Sequence, residues 1–278
     1  IGSWLLGKSH DERRRTGTGV TEVVGLLMVN HENDILERTL QQNAQWVDRF
    51  YCLDGTVPND YSRNVITCHS KCAGYWTDAD LPRPPYPARP TDGYRQFLLD
   101  QAADDIGINH WFVLLHGDEW WGMDPRKLTR SQRDGFEFEL PFFVPRLEDG
   151  WDDNTPPLDQ LRWRFGPGWP EFRMFLGNAN VAYHPTQHFN TRPMGLSNVG
   201  RAPHRILHYP FRSPAVQRER ARLHSVTGFD PDNYRHILDD DRVLWTADMI
   251  SEWRRRDCFR DFRKIETASE VMLQCGGG

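Results

Sequence analysis

The chain has 278 residues, a net charge of −5 and 26% charged residues. That length gives one large domain or two small ones, and the charge balance argues against a strongly basic nucleic-acid binder while leaving room for a local basic face. Hydrophobic residues are only 38% of the chain, yet 12% is aromatic, with 11 Trp, which excludes wholesale disorder and puts the apolar area into a few large rings.

Residues 1–20 are polar and basic and read as a flexible lead-in. Val23–Val29 is a continuous apolar run, the pattern of a strand buried on both faces. It is the longest such run and falls well short of the ~20 residues of a membrane span. Asn33 and Asp34 offer a helix N-cap before the helical spacing of Ile35, Leu36, Thr39 and Leu40. Residues 47–55 read as a second strand breaking at Asp54-Gly55, and residues 65–68 as a weaker third. The order β-α-β-loop-β predicts the opening of a parallel α/β sheet. The proline-rich residues 78–93 read as a loop. Residues 94–103 carry the pattern of an amphipathic helix, and residues 111–115 that of another buried strand, running straight into His116-Gly117-Asp118-Glu119. Residues 136–140 alternate strictly and predict a half-exposed strand. Residues 150–205 are rich in Gly, Pro, Trp and Arg and show little periodicity, whereas 217–223 and 244–262 read as charged helices. The five cysteines, Cys52, Cys68, Cys72, Cys258 and Cys275, lack the clustered spacing of a zinc site and read as free thiols of a reducing compartment. With no signal-peptide pattern, they predict a cytoplasmic protein.

Polar residues gather at the carboxyl ends of the expected parallel strands, where open α/β sheets bind ligands. They are Asn30-His31-Glu32, Asp54-Gly55 and His116-Gly117-Asp118-Glu119, with Gly93-Tyr94-Arg95 opening the helix before the last of these strands. A strand end delivering His, Asp and Glu together suits Mg²⁺ or Mn²⁺, with a diphosphate completing the shell. The plainer alternative is a pair of aspartates that cap turns, with an acidic turn in water ahead of Trp120-Trp121.

This ordered set, over residues 22–125, resembles the nucleotide-sugar-binding half of family 2 glycosyltransferases with the GT-A fold. The resemblance implies that Asn30, Glu32 and Asp54 bind the nucleotide of a nucleoside diphosphate sugar. It implies too that Arg95 contacts the base or ribose region and that Asp118 holds a metal. His116 stands where the family has the first Asp of its Asp-x-Asp element; as a histidine it can still ligate Mn²⁺. Residues 208–213, His-Tyr-Pro-Phe-Arg-Ser, resemble a His-Tyr-x-x-Arg-Ser segment of bacterial members. They make His208 the first choice to complete the metal shell, ahead of His184, His188 and His204. Arg212 could grip the diphosphate bidentately; the plainer reading is a surface salt bridge.

Inverting transfer needs a carboxylate base near the acceptor hydroxyl. Glu171 ranks first because it sits in the ring-and-arginine segment 162–173, whose aromatics could line a sugar site or simply pack a core; Asp152 and Asp153 are the alternatives. The expected architecture is therefore α/β and GT-A-like, a mostly parallel nucleotide-binding sheet flanked by helices. A catalytic domain would span 21–215, with 21–125 holding the nucleotide sugar and 126–215 the acceptor. Residues 216–278 would form a helical C-terminal extension, with Arg254–Arg256, Arg260, Arg263 and Lys264 on a basic helix. The expected activity is metal-dependent and, as the resemblance implies, inverting, moving a sugar from a nucleoside diphosphate to an acceptor hydroxyl of a glycan, metabolite, protein or modified DNA base. The rival readings are a metal-dependent hydrolase or nucleotidyltransferase using the same strand end, and a non-catalytic nucleotide- or carbohydrate-binding module.

Overall fold

The computed structural model describes residues 21–55, 60–81, 92–183, 192–227, 237, 243–256 and 259–265. The expected lead-in over 1–20, most of the proline-rich loop, His184, His188, Cys258, Cys275 and the end of the chain lie outside them. The fold is α/β, a nine-stranded sheet with helices on its faces, in the order β3-β2-β1-β4-β7-β6-β8-β5, with β9 added alongside β7.

The first half is parallel throughout. β1 (Val23–Val29) lies between β2 (Arg49–Asp54) and β4 (Trp111–His116), and β3 (Cys72–Thr77) flanks β2. The unbroken apolar run of β1 is explained by two buried faces. Val23, Leu27 and Val29 join one apolar cluster with Leu36, Leu40 and Ala44 of α1 (Leu36–Ala44). Val24 and Leu26 join another with Leu98, Leu99 and Ala102 of α3 (Asp92–Ile106). Gly25 points to the first face, where a Cβ would meet Leu115 and Phe50 at 2.8 and 2.9 Å; glycine is what allows the three strands to close there. The register sets Val29 beside Asp54 and Met28 beside His116, so the strand ends finish level.

Two early expectations are corrected. Residues 65–68 are no strand. They end α2 (Asp60–Thr67), whose Ser62 and Ile66, four apart, turn one face inward. The β-branched Val65, Ile66 and Thr67 lose to that helical burial, and the third strand is β3, whose residues are only half buried. The Asn33-Asp34 cap is also absent: Ile35 occupies the N-cap with no side-chain bond, because the Asp34 carboxylate is taken by Arg212.

The second half is mixed. β5 (Glu119–Trp121) pairs antiparallel with β8 (Val199–His208), and β6 (Gly135–Val144) runs between β8 and the long β7 (Trp163–Leu176). Residues 136–140 of β6 alternate buried and half-buried, as their sequence does, while 141–144 are buried throughout; the alternating Glu139 pairs with Arg205 at 2.9 Å. The aromatics of this half form packed core. Phe142 meets Phe165, Phe211, Trp245, Trp253 and Phe259 in one cluster, the closest ring centroids being 4.7 Å apart. Beyond the short α4 (Pro157–Gln160), α5 (Pro214–Thr227) and α6 (Ala247–Trp253) supply Ala221, Met249 and Ile250 to the same cluster. The basic residues expected on one C-terminal helix are divided, because α6 ends at Trp253 and β9 (Asp261–Lys264) is a strand. No helix among the described residues is long and apolar enough to cross a membrane.

Candidate functional site

At the end of β1 the backbone turns at His31, which has a φ of 63°. This left-handed conformation is strained for a residue with a Cβ, and such strain gathers at functional sites. The turn folds Glu32 back so that its carboxylate accepts the Asn30 N–H. Glu32 packs over Gly117, where a Cβ would meet its side chain at 3.0 Å. Thus a glycine after β4 lets the acidic groups of two strand ends approach.

Asp118 is the centre of this cluster, 6% exposed. Its Oδ2 faces Arg220 Nη2 at 3.1 Å, Arg212 Nη1 at 3.5 Å and His208 Nε2 at 3.6 Å. Arg220, on α5, also pairs with Glu32, so one guanidinium bridges the ends of β1 and β4. Arg212 is fully buried: its Nε reaches Asp34 at 3.0 Å, and its terminal nitrogens donate to the carbonyls of Tyr209 and His31, each at 3.0 Å. Burial pushes the Glu32 carboxyl up to about 7 against the pull of Arg220, with Asp118 adding to the rise. Burial also works against the Asp118 anion, but His208, Arg220 and Arg212 outweigh it and hold Asp118 well below the ordinary range. Burial disfavours the His208 imidazolium; Asp118, with Glu119 and Glu171, outweighs it and raises His208.

A second buried cluster lies one residue further on. Glu119 is wholly buried and receives Arg173 from β7 at 2.7 Å, with His116 Nδ1 at 3.2 Å. Arg173 also pairs with Glu171. Despite burial, Arg173 and His116 keep Glu119 ionised, its carboxyl held far below the usual range. His116 is lowered by burial, with Arg173 and Arg95 adding to the effect against Glu119.

The structure therefore brings together Glu32, Asp118, His208 and Arg212 as the sequence predicts, and adds Arg220, Asp34, Glu119 and Arg173, which the sequence reading did not assign. Arg220 sits in the run Gln217-Arg218-Glu219-Arg220-Ala221-Arg222, which resembles a charged helix face in water; only the small Ala221 and the fully buried Gln217, four residues apart, hint at an inward side. His116 does not join Asp118; it pairs with Glu119. Arg212 is neither a surface salt bridge nor an open phosphate grip: it is a buried brace with its donors engaged. Asp54 is 2% exposed, and its Oδ2 accepts from Ser62 Oγ at 2.7 Å and Tyr75 Oη at 3.0 Å. Arg95 is wholly buried beneath the strand ends, whereas Asn30 is exposed at their rim. Asp152 and Asp153 lie in an exposed turn. Asp152 accepts from Thr155 Oγ1 at 2.6 Å and the Asn154 N–H at 3.0 Å, and Asp153 from Trp151 Nε1 at 3.1 Å.

The residues expected to ligate a metal do not fit a resident divalent ion. The Asp118 and Glu32 carboxylates are already occupied by cationic donors. At equal distance, one guanidinium cancels the attraction that one carboxylate offers a cation. Here Arg212, Arg220 and His208 stand against Asp34, Asp118 and a Glu32 that burial leaves part-protonated. Among the described residues no three His, Cys, Asp or Glu side chains come together as a metal-holding group.

Fold and site define an α/β sheet protein with a charged cluster at its parallel strand ends. No protein-family profile and no curated protein matches the chain. Solved structures resemble it remotely. HddC from Yersinia pseudotuberculosis has 11% identity, covering 68% of this chain and 93% of that one, with a TM-score of 0.38. A protein from Desulfovibrio desulfuricans G20, described as a nucleotide-diphospho-sugar transferase, has 10% identity, covering 81% and 97%, with a TM-score of 0.33. At such scores the likeness decides nothing about activity, which has to be read from the site.

Proposed function

We propose that the strand-end cluster binds a nucleoside diphosphate sugar and that the protein transfers the sugar to an acceptor hydroxyl. One observation carries this reading: Glu32 and Asp118, from two separate strand ends, meet Arg220 where an open α/β sheet receives its ligands. The motif resemblance over 22–125 supports it, and so does the level finish of β1, β2 and β4, which sets Asp54 near the same edge.

The reaction divides among residues already in place. Cationic side chains around Asp118 stabilise the negative charge that gathers on the departing diphosphate. Glu171 takes the acceptor proton. Of the three candidate carboxylates it is the one paired with buried Arg173, and its side chain is 14% exposed. As the acceptor oxygen bonds to the anomeric carbon, the bond from that carbon to the diphosphate oxygen breaks, and its electron pair leaves with the nucleoside diphosphate.

Incubation with UDP-, GDP- and dTDP-sugars, read by mass spectrometry, tests this. Release of the nucleoside diphosphate is the expected outcome. Release of pyrophosphate from a nucleoside triphosphate and a sugar phosphate would instead establish nucleotidyl transfer. Binding without turnover of any donor would establish a binding module.

A further inference from the structure

The cations that surround Asp118 give that residue a different part from metal ligation. We propose that Asp118 is a positioning residue: it holds the Arg220 guanidinium, with the His208 imidazole beside it, as the donors that receive a diphosphate, with no divalent ion between them. The identity of that diphosphate as part of a nucleotide rests on the reading above.

Arg220 and His208 converge on the same oxygen, Asp118 Oδ2, at 3.1 and 3.6 Å. They come from different elements, α5 and the end of β8, so the carboxylate fixes their mutual placement. Their side chains keep 12% and 25% exposure, whereas Arg212 keeps none. Arg212 therefore braces the cluster from beneath, through Asp34 and two backbone carbonyls, while Arg220 and His208 reach its surface. Arg220 also pairs with Glu32 and donates from Nη1 to the Pro210 carbonyl at 3.1 Å, so its guanidinium is set in place before a ligand arrives. A planar guanidinium suits the paired oxygens of a phosphate.

The two roles for Asp118 predict a different dependence on metal for one isosteric change. Calorimetric titration uses inorganic pyrophosphate, once in EDTA and once in Mn²⁺, on the wild type, Asp118→Asn, Arg220→Gln and Arg220→Lys. Each variant's fold is checked by circular dichroism. The wild type is expected to bind pyrophosphate equally in both buffers. Arg220→Gln should weaken it by about tenfold or more, the loss of a charge-assisted hydrogen bond, and Arg220→Lys should recover part of that. Asp118→Asn should weaken binding in EDTA and in Mn²⁺ alike, because the carboxylate no longer fixes Arg220 and His208 in place; wild-type affinity in that variant would contradict the positioning role. Pyrophosphate binding that appears only with Mn²⁺ and vanishes in Asp118→Asn would overturn the proposal; so would no binding in EDTA, or an Arg220 pair of variants with wild-type affinity. UDP and GDP titrated alongside separate the two readings: if they bind no tighter than pyrophosphate, the nucleotide reading falls while the anion site stands.

Discussion

Asp118 and Glu119 are adjacent in the chain and both buried, yet they anchor two different kinds of cluster. Glu119 is sealed among β4, β5 and β7, with Arg173 and His116 as full partners and no exposure of its own. Asp118 faces groups from the last third of the chain, His208, Arg212 and Arg220, of which two retain contact with water. The first cluster uses ion pairing to join strands. The second uses it to hold cations at a strand end where a ligand can arrive. The difference shows that burial, ion pairing and partner exposure alone do not mark a site, since His116 beside Glu119 keeps 17% side-chain exposure and Arg220 beside Asp118 keeps 12%; what separates the two is that Glu119 is held by strands of the sheet, whereas Asp118 gathers groups from β8 and the chain after it at a strand end.

The largest effect expected is on the sealed cluster. Arg173→Met leaves Glu119 charged and buried with only His116 beside it, and should cost about 3–5 kcal/mol of stability, read from the urea midpoint. A cost under about 1 kcal/mol, the scale of a surface pair, would erase the distinction between the clusters.

The open cluster should instead reveal itself in pH dependence. Unfolded, Glu32 titrates near its ordinary 4.5; folded, it titrates near 7. Between those values the native state binds more protons, so this contribution is complete below 4.5 and is lost as pH rises through 7. Glu32→Gln should remove a fall of about 1–3 kcal/mol over that interval. Asp118, held low, contributes the opposite way, its stabilisation present above its ordinary 3.8 and lost in acid below it. A stability profile between pH 5 and 7 that is the same in wild type and Glu32→Gln would contradict this assignment.

The smallest effect belongs to the exposed turn. Asp152→Ala removes acceptors used by Thr155 and Asn154. Turnover and nucleotide affinity should stay at wild-type values, and a folded Asp152→Ala protein without turnover would move the base from Glu171 to this turn.

The parallel half was legible in the sequence because its signals are local. The Val23–Val29 run, the apolar stretch within 94–103 and the strand into His116 can each be read without reference to a distant partner. The third strand was missed because Val65-Ile66-Thr67 favours extension by residue type, while Ile66 packs one face of a helix. β7 and β8 were hidden because their partners lie far away in sequence and interrupted pairing blurs the alternation, as at the register shifts between β6 and β7. The same holds for the site. Glu32 and Asp118 announced themselves at strand ends, but Arg220, which joins them, comes from 188 residues beyond Glu32, in a charged helix where only Ala221 and Gln217 hint at an inward side.

The central claim is that the Asp118–Arg220 strand end receives a nucleoside diphosphate. Calorimetric titration of UDP and GDP into wild type and Arg220→Gln tests it most directly. Binding of at least one nucleotide tighter than pyrophosphate, weakened about tenfold or more in Arg220→Gln, is the predicted result. No nucleotide binding, or nucleotide binding untouched by the Arg220 change in a folded protein, would contradict it.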